Sequence, residues 1–154
     1  AERGNANAQC SPGSHYGNGR AVEQDYAEAV RWFRKATEQD FTLAQNRLAA
    51  CYAKGEGVEK NLVETVKWYR KSAELNSPAG QTYLGDCYAK GEGVEQDKTE
   101  AYAWYSLPTE TLTIPRKKRE ALEKEMSPQQ VIAGKKRAEE LRAPIAAKLK
   151  SGGK

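Results

Sequence analysis

The amino-acid sequence of 154 residues predicts an all-α protein, a right-handed α-α solenoid of stacked helical hairpins with C-terminal capping helices. Rare residues recur at a fixed step of 36 residues, and glycine-rich turns recur at the same step. Helix-favouring Ala, Glu, Lys, Gln and Arg are plentiful between the turns. The hydrophobic content of 38% fits a thin architecture in which each layer buries one face against its neighbours.

The repeat is carried by residues that are uncommon in the chain. Trp32, Trp68 and Trp104 are all of its tryptophans, and they lie 36 residues apart. The same step separates three tyrosines, three valines and three glycines, namely Tyr16, Tyr52 and Tyr88, Val22, Val58 and Val94, and Gly19, Gly55 and Gly91. Recurrence at the same step in so many positions indicates repeated structural units.

Each unit is predicted to fold as a helix, a glycine turn and a second helix. In the second unit the first helix covers about residues 42–53, and the second runs from Asn61 to about residue 75. Between them lies Gly55-Glu56-Gly57-Val58, where glycine permits the positive φ that follows a helix end.

A capping box predicts the start of each second helix. In this motif a short polar side chain accepts a hydrogen bond from the first turn, and a glutamate three residues later reaches back to the cap residue. Three pairs have this spacing: Asp25 with Glu28, Asn61 with Glu64, and Asp97 with Glu100.

The recurring tryptophans have two interpretations. They could stack on a ligand, but their helical spacing with apolar neighbours favours a role as core spacers between helix layers. The glycine turns do not indicate a phosphate-binding loop, because no predicted strand precedes them.

These residues resemble the Sel1-like repeat family, which is related to tetratricopeptide repeats, over about residues 1–107. The third unit carries the family motif as Leu84-Gly85, Tyr88, Gly91, Gly93-Val94, Asp97, Ala101 and Trp104-Tyr105. The second carries it as Leu48, Tyr52, Gly55, Gly57-Val58, Asn61 and Trp68-Tyr69. The period of 36 residues and the Gly-x-Gly-Val turn favour this family over tetratricopeptide units, which repeat about every 34 residues. The resemblance implies a non-enzymatic scaffold or adaptor, in a bacterial context, that binds a partner protein or peptide.

The chain is expected to divide into a tail of a preceding repeat, three repeats and a basic cap, at residues 1–4, 5–41, 42–77, 78–108 and 115–150. The array would then have been longer upstream. The first repeat is expected to be degenerate, because Pro12 stands where Leu48 and Leu84 stand, and a proline inside a helix costs about 3 kcal/mol. Ala21 also replaces the second turn glycine, and Pro108 is expected to end the last second helix early.

The cysteines do not predict structural disulfides. In the cysteine-rich secreted branch of the family, the resemblance places the disulfide at positions held here by Ala73 and Gln81. Cys51 and Cys87 occupy equivalent positions and are expected to be buried apolar residues. A reducing cytoplasm and a periplasmic or secreted location both stay open.

Two helices are predicted after the repeats. Pro115 opens one through about Glu125, with Ala121 and Leu122 inward. Ser127 caps the next, which carries an apolar stripe at Val131, Ala138, Leu141, Ile145 and Leu149. Their expected role is to cover the apolar face of the last unit.

The positive charge is concentrated in this C-terminal region. Residues 1–115 hold 13 Lys and Arg against 16 Asp and Glu, whereas residues 116–154 hold 12 against 5. The basic residues can be the solvated face of capping helices, or they can bind nucleic acid, an anionic membrane surface or an acidic partner. Interleaved glutamates and the absence of aromatic residues there argue against nucleic acid.

The sequence offers little for catalysis or metal binding. His15 is the only histidine, no Cys/His cluster has metal-ligand spacing, and no apolar run is long enough to span a bilayer. We therefore expect no catalytic residue, no metal and no small-molecule cofactor, with an enzyme as the third alternative.

The resemblance to tetratricopeptide arrays implies that the first helices line a concave groove. The partner-binding residues it suggests are Asn18, Asn46, Ala50, Lys54, Thr82, Asp86 and Lys90. Lys54 and Lys90 repeat one positive charge along this groove, so we hypothesise that they meet a carboxylate-bearing peptide or an acidic helix. The alternative is that they are helix-end lysines that interact favourably with the helix dipole. Binding of an anionic surface through the basic tail is the alternative function.

Overall fold

The computed structural model describes residues 19–151, with side chains described from residue 26 onward. Within this region the chain forms seven helices and no strand, which confirms the predicted all-α class. The helices are α1 (Gly19–Thr37), α2 (Thr42–Lys54), α3 (Leu62–Glu74), α4 (Pro78–Lys90), α5 (Lys98–Tyr105), α6 (Thr113–Glu123) and α7 (Pro128–Ser151). None of these described helices is both long and apolar enough to cross a membrane.

The helices pack in the order of the chain. Helices α2 and α3 form the hairpin of the second unit, and α4 and α5 form that of the third. Helix α3 also packs against α4, and α7 packs against α5. Each layer therefore rests on its sequence neighbours, as the repeat pattern predicts.

The glycine turns have the predicted backbone conformation. Gly55 and Gly91 follow α2 and α4 with φ of 76° and 71°, and their N–H groups donate to the carbonyls of Cys51 and Cys87. Gly57 and Gly93 also have positive φ, and they lie against backbone of the preceding unit. These turns therefore close the first helix and also set the approach of one unit to the next.

The predicted N-caps of α3 and α5 are confirmed. The Oδ1 atom of Asn61 accepts from the N–H groups of Val63 and Glu64 at 3.1 and 3.0 Å. Asp97 does the same for α5, with N···O distances of 2.8 and 3.0 Å. Both side chains thus satisfy orphan donors of the first helical turn.

The predicted hydrogen bond from the cap residue's N–H group to the glutamate three residues later is wrong at both Asn61 and Asp97. The N–H groups of Asn61 and Asp97 donate to the carbonyls of Tyr52 and Tyr88, at 2.9 and 3.0 Å, instead of to a glutamate. The donor that a capping glutamate would satisfy is therefore used to join the two helices of one hairpin.

The predicted second-helix start at Asp25 is also wrong. Helix α1 begins at Gly19 and continues without interruption past Asp25. The physical reason lies in the turn, because Ala21 stands where Gly57 and Gly93 adopt positive φ. Alanine pays a steric cost in that conformation and favours continued helix. The expected disruption at Pro12 and the expected tail at residues 1–4 lie outside the described residues.

The tryptophans differ in burial along the array. Trp104 is 2% exposed, and Trp68 packs between the cores on either side of it, so both separate helix layers as predicted. Trp32 is 37% exposed, and its assignment to the core is wrong. On the same helix, Val30 and Phe33 enter the core instead.

A polar contact joins successive units at the same step as the apolar repeat. The Nη2 atom of Arg34 on α1 donates to the Tyr52 hydroxyl on α2 at 2.9 Å. Arg70 on α3 donates to the Tyr88 hydroxyl on α4 at 2.6 Å. The second helix of one unit is thus hydrogen-bonded to the first helix of the next.

The C-terminal helices cover the last unit. Helix α5 ends at Tyr105 after 8 residues, whereas α3 has 13, in agreement with the early stop predicted from Pro108. Leu122 of α6 and Ile145 of α7 are buried against the array. Ala121 and Leu149 were expected to point inward but are exposed, because the buried stripe runs along other faces of these helices.

Candidate functional site

One face of the first helices is open to solvent. On α2 it carries Leu43, Arg47, Ala50 and Lys54, and on α4 the equivalent positions are Ala79, Tyr83, Asp86 and Lys90. At 3.6 residues per turn, each set of four falls within about 60° of arc. We call these eight residues the first-helix face.

The residues predicted to bind a partner divide into three groups. Ala50, Lys54, Asp86 and Lys90 lie on the first-helix face. Asn46 and Thr82 are buried beside it. Asn46 hydrogen-bonds Ser77, the N-cap of α4, with an Nδ2–Oγ distance of 3.4 Å, and therefore helps to join two units. Asn18 lies outside the described residues.

Two prominent side chains of this face were missed in the sequence analysis. Arg47 is exposed, and Tyr83 is 44% exposed at the equivalent position one unit later. The signal that could have found them is helical spacing, because each lies four residues after an exposed apolar residue, Leu43 or Ala79. The prediction chose the position three residues after, which turns toward the neighbouring unit.

The ring of Tyr83 is packed against the ring of the buried Tyr69. Its ring lies 5.0 Å from that of Tyr69, centroid to centroid, with an angle of 36° between the ring planes. Tyr69 is buried in the core of the second and third units. Tyr83 therefore presents a supported aromatic surface rather than a freely rotating side chain.

Asp86 is the single acidic residue of the first-helix face, and it is already bound. Its carboxylate accepts from the Tyr105 hydroxyl at 2.6 Å and from Lys118 Nζ of α6 at 2.6 and 2.8 Å. Lys54 lies 3.8 Å from Glu56, and Arg47 and Lys90 form no ion pair with the described residues. The face consequently has an excess of positive charge.

Three cations of the basic cap pair with carboxylates of the repeats. Lys118 binds Asp86, Arg137 binds Glu100, and Lys148 binds Glu74 at 3.2 Å. Within the cap region, Arg119 binds Glu110 at 2.6 Å. These ion pairs give part of the positive charge of the tail a role within the chain, where it joins the cap to the repeats.

The described residues also show no arrangement typical of catalysis. No group of three or more His, Cys, Asp or Glu side chains within residues 26–151 is placed to hold a metal ion. A shallow depression of 340 Å³ between α5, α6 and α7 is lined by charged side chains, several of which pair with each other, such as Arg119 with Glu110 and Arg142 with Glu139. Nothing in its lining combines a nucleophile with a base.

Several buried protons make the fold sensitive to alkaline pH. Burial, followed by the negative charges of Glu92 and Asp86, raises the pKa of the Cys87 thiol to about 11 from its ordinary value of 9.0. Burial also raises the pKa of the Tyr69 phenol, and burial with the hydrogen bond to Asp86 raises the pKa of the Tyr105 phenol. The folded chain therefore keeps protons that the unfolded chain releases.

We expect the free energy of unfolding to fall as the pH rises from 9 towards 11. The pKa of the Cys87 thiol is higher in the folded chain than in the unfolded chain. Its stabilising contribution to the free energy of unfolding is therefore complete below the pKa of the unfolded chain, and it is lost as the pH rises through the pKa of the folded chain. The loss from this thiol is on the order of 2 kcal/mol. Urea unfolding along this pH range would measure it. Cys87→Ala and Tyr69→Phe should each give a shallower decline, and an unchanged slope in both would contradict the assignment.

Comparison with known proteins adds a family and two related folds. A family model described as Sel1 repeat matches residues 6–41, 42–77 and 78–107. No curated protein matches the chain. Among solved structures, the chain is similar to c5321, a protective antigen present in uropathogenic Escherichia coli strains and displaying an SLR fold. The TM-score is 0.79 at 30% identity, over 96% of this chain and 32% of that one.

A second similar structure is a Sel1 repeat protein from Oxalobacter formigenes. Its TM-score is 0.52 at 34% identity, over 67% of this chain and 42% of that one. The chain thus spans about a third of the first protein and less than half of the second. Both similarities confirm the predicted solenoid fold.

Proposed function

Because the chain belongs to the Sel1 repeat family, as its motifs predict, we propose that it is a scaffold or adaptor that binds a partner protein through the first-helix face. Sel1 repeat proteins generally mediate protein–protein interactions, and their fold is typically a non-enzymatic scaffold. The observation that carries the proposal is the exposure of apolar side chains, with Leu43 53% and Tyr83 44% exposed, beside two cations that form no ion pair with the described residues, Arg47 and Lys90. Such a surface is typical of a binding site.

The predicted site residues have different roles in this proposal. Ala50, Lys54, Asp86 and Lys90 would contact the partner, while the buried Asn46 would join α2 to the start of α4. The buried Thr82 donates to the Pro78 carbonyl and would support the face from within α4. Asn18 would extend the same surface into the first unit. The exposed lysines would meet carboxylates of the partner, as the sequence hypothesis holds.

Site-specific photocross-linking tests the face directly. A benzophenone amino acid replaces Tyr83 on the first-helix face in one variant and Val63 on the second helix of the preceding unit in another. Both side chains are exposed, and the control position is the more exposed of the two (Val63 67%, Tyr83 44%), so access to solvent does not limit cross-linking there. In cells of the native organism, we expect a discrete cross-linked protein from position 83 and none from position 63. Equal yields of cross-linked protein from both positions, or cross-linked protein from position 63 alone, would contradict the proposal.

A further inference from the structure

We propose that the bound partner segment is acidic and carries one aromatic or aliphatic side chain that lies on Tyr83, flanked by carboxylates that reach Arg47 and Lys90. This inference rests on the proposed function and specifies the chemistry of the partner. It depends on the positive charge of the first-helix face, on the exposed ring of Tyr83, and on the ion pair that Asp86 already forms with Lys118.

The charge of the face selects an acidic segment. Arg47, Lys54 and Lys90 contribute three cations, and Asp86 contributes one carboxylate. Lys118 from α6 neutralises that carboxylate, and Lys54 lies 3.8 Å from Glu56, so Arg47 and Lys90 are the cations of the face that have no ion pair with the described residues. A partner with carboxylates would complement this surface and associate faster through it.

The bound state of Asp86 also disfavours a basic segment. A lysine or arginine from a partner would find the carboxylate already accepting from Lys118 and from the Tyr105 hydroxyl. Binding there would require that Lys118 be displaced into solvent while the partner's cation approached Lys90 one turn away. Like-charge approach is costly, so the face discriminates against basic partners.

The apolar contact is provided by Tyr83. The ring is exposed on one side and packed on buried Tyr69 on the other, so little side-chain entropy is lost when a partner covers it. Exposed Leu43, on the neighbouring first helix, adds apolar surface on the same face. An aromatic or aliphatic side chain fits this position better than a polar one.

The spacing of the charges gives the pattern of the segment. Arg47 occupies the equivalent position on the neighbouring first helix, about 10 Å or more from Tyr83, because α2 and α4 touch each other at few residues. Lys90 lies two turns along the same helix, at about 10 Å. In an extended segment this corresponds to carboxylates about three residues from the apolar side chain.

The test uses three fluorescein-labelled synthetic peptides and fluorescence anisotropy. One peptide places glutamates around a central phenylalanine, the second replaces the glutamates with lysines, and the third replaces the phenylalanine with alanine. We expect the first to bind, and the third to bind about tenfold more weakly. Binding of the first should weaken as salt is added, because its charges lie at the surface.

The variants separate charge from packing. Tyr83→Ala and Arg47→Glu should each weaken binding of the first peptide by about tenfold. Lys136→Glu on α7 makes the same charge change at an exposed position with no ion pair to the described residues, and should leave binding unchanged. Arg47 forms no ion pair with the described residues, so Arg47→Glu serves as the test if Tyr83→Ala loses helicity by circular dichroism.

Three results would overturn the inference: saturable binding of the lysine peptide that equals or exceeds that of the glutamate peptide, no saturable binding of the glutamate peptide, or unchanged affinity in Arg47→Glu. Cross-linking from position 83 distinguishes these failures from failure of the proposed function. If a protein is captured there while the acidic peptide does not bind, the scaffold function stands and the acidic assignment falls.

Discussion

Replacing Gly93 with alanine is expected to destabilise the protein by roughly 3 kcal/mol. The residue has φ of 75°, where a Cβ is unfavourable by about 1–2 kcal/mol. In addition, the new Cβ would overlap the carbonyl oxygen of Leu62 and press on Val66 of the preceding unit. Because a backbone carbonyl at the start of α3 cannot rotate away, the two units would have to separate. Urea unfolding monitored by circular dichroism would measure the change.

Gly91→Ala is the matched control for this substitution. Gly91 has nearly the same φ, 71°, but a Cβ there would lie 3.2 Å from the Gln96 Cβ and touch no neighbouring unit. It should therefore cost only the conformational penalty, about 1–2 kcal/mol. Equal losses for the two variants would show that contact between units contributes nothing at Gly93.

Trp104→Ala is expected to cost about 3–5 kcal/mol. The side chain is 2% exposed and belongs to the core that α2, α3, α4, α5 and α7 share. Its removal leaves a large cavity in the cluster through which Ile145 anchors the cap to the last repeat. Thermal and urea unfolding should both show the loss, and α7 should become more accessible to limited proteolysis.

Trp32→Ala offers a control with the same chemistry at the equivalent position of the array. Trp32 is 37% exposed, so its removal leaves a smaller cavity and should cost about 1 kcal/mol. If the two tryptophan variants were equally unstable, burial could not be the reason for the large effect at Trp104.

Much of the fold could be predicted because local signals and the repeat agree. Glycine turns, N-caps at Asn61 and Asp97, and the early end of α5 all follow from backbone chemistry that operates within a few residues. The start of α1 could not be predicted in the same way. The capping pattern at Asp25 was intact, but Ala21 stands where Gly57 and Gly93 adopt positive φ in the other two units, and the chain there continues as helix.

Burial at equivalent positions was harder to predict than the positions themselves. Trp32 and Trp104 occupy the same place in the repeat, yet only the second is enclosed on both sides. The period of the sequence predicts the direction in which a side chain points, but its burial depends on how the neighbouring units pack around it. The same limit explains why Leu149 on α7 is exposed although it continues an apolar stripe.

The candidate site was predicted in part. Helical register placed Lys54 and Lys90 on the open face of α2 and α4, where the structure also has them. The same register included Asn46, which is turned into the contact between units, and omitted Tyr83. The ion pair between Asp86 and Lys118 joins residues 32 positions apart and follows no local rule. Only the packing of α6 against the last unit brings them together.

The arginine–tyrosine bonds between units have a consequence for how the array melts. Each bond, Arg34 to Tyr52 and Arg70 to Tyr88, exists only while two adjacent units are both folded. Its free energy therefore belongs to the junction and not to either hairpin. Stability in such arrays is a sum of unit and nearest-neighbour terms. Directional polar contacts at successive junctions raise the second term, so they favour joint melting of adjacent units over fraying of one hairpin at a time.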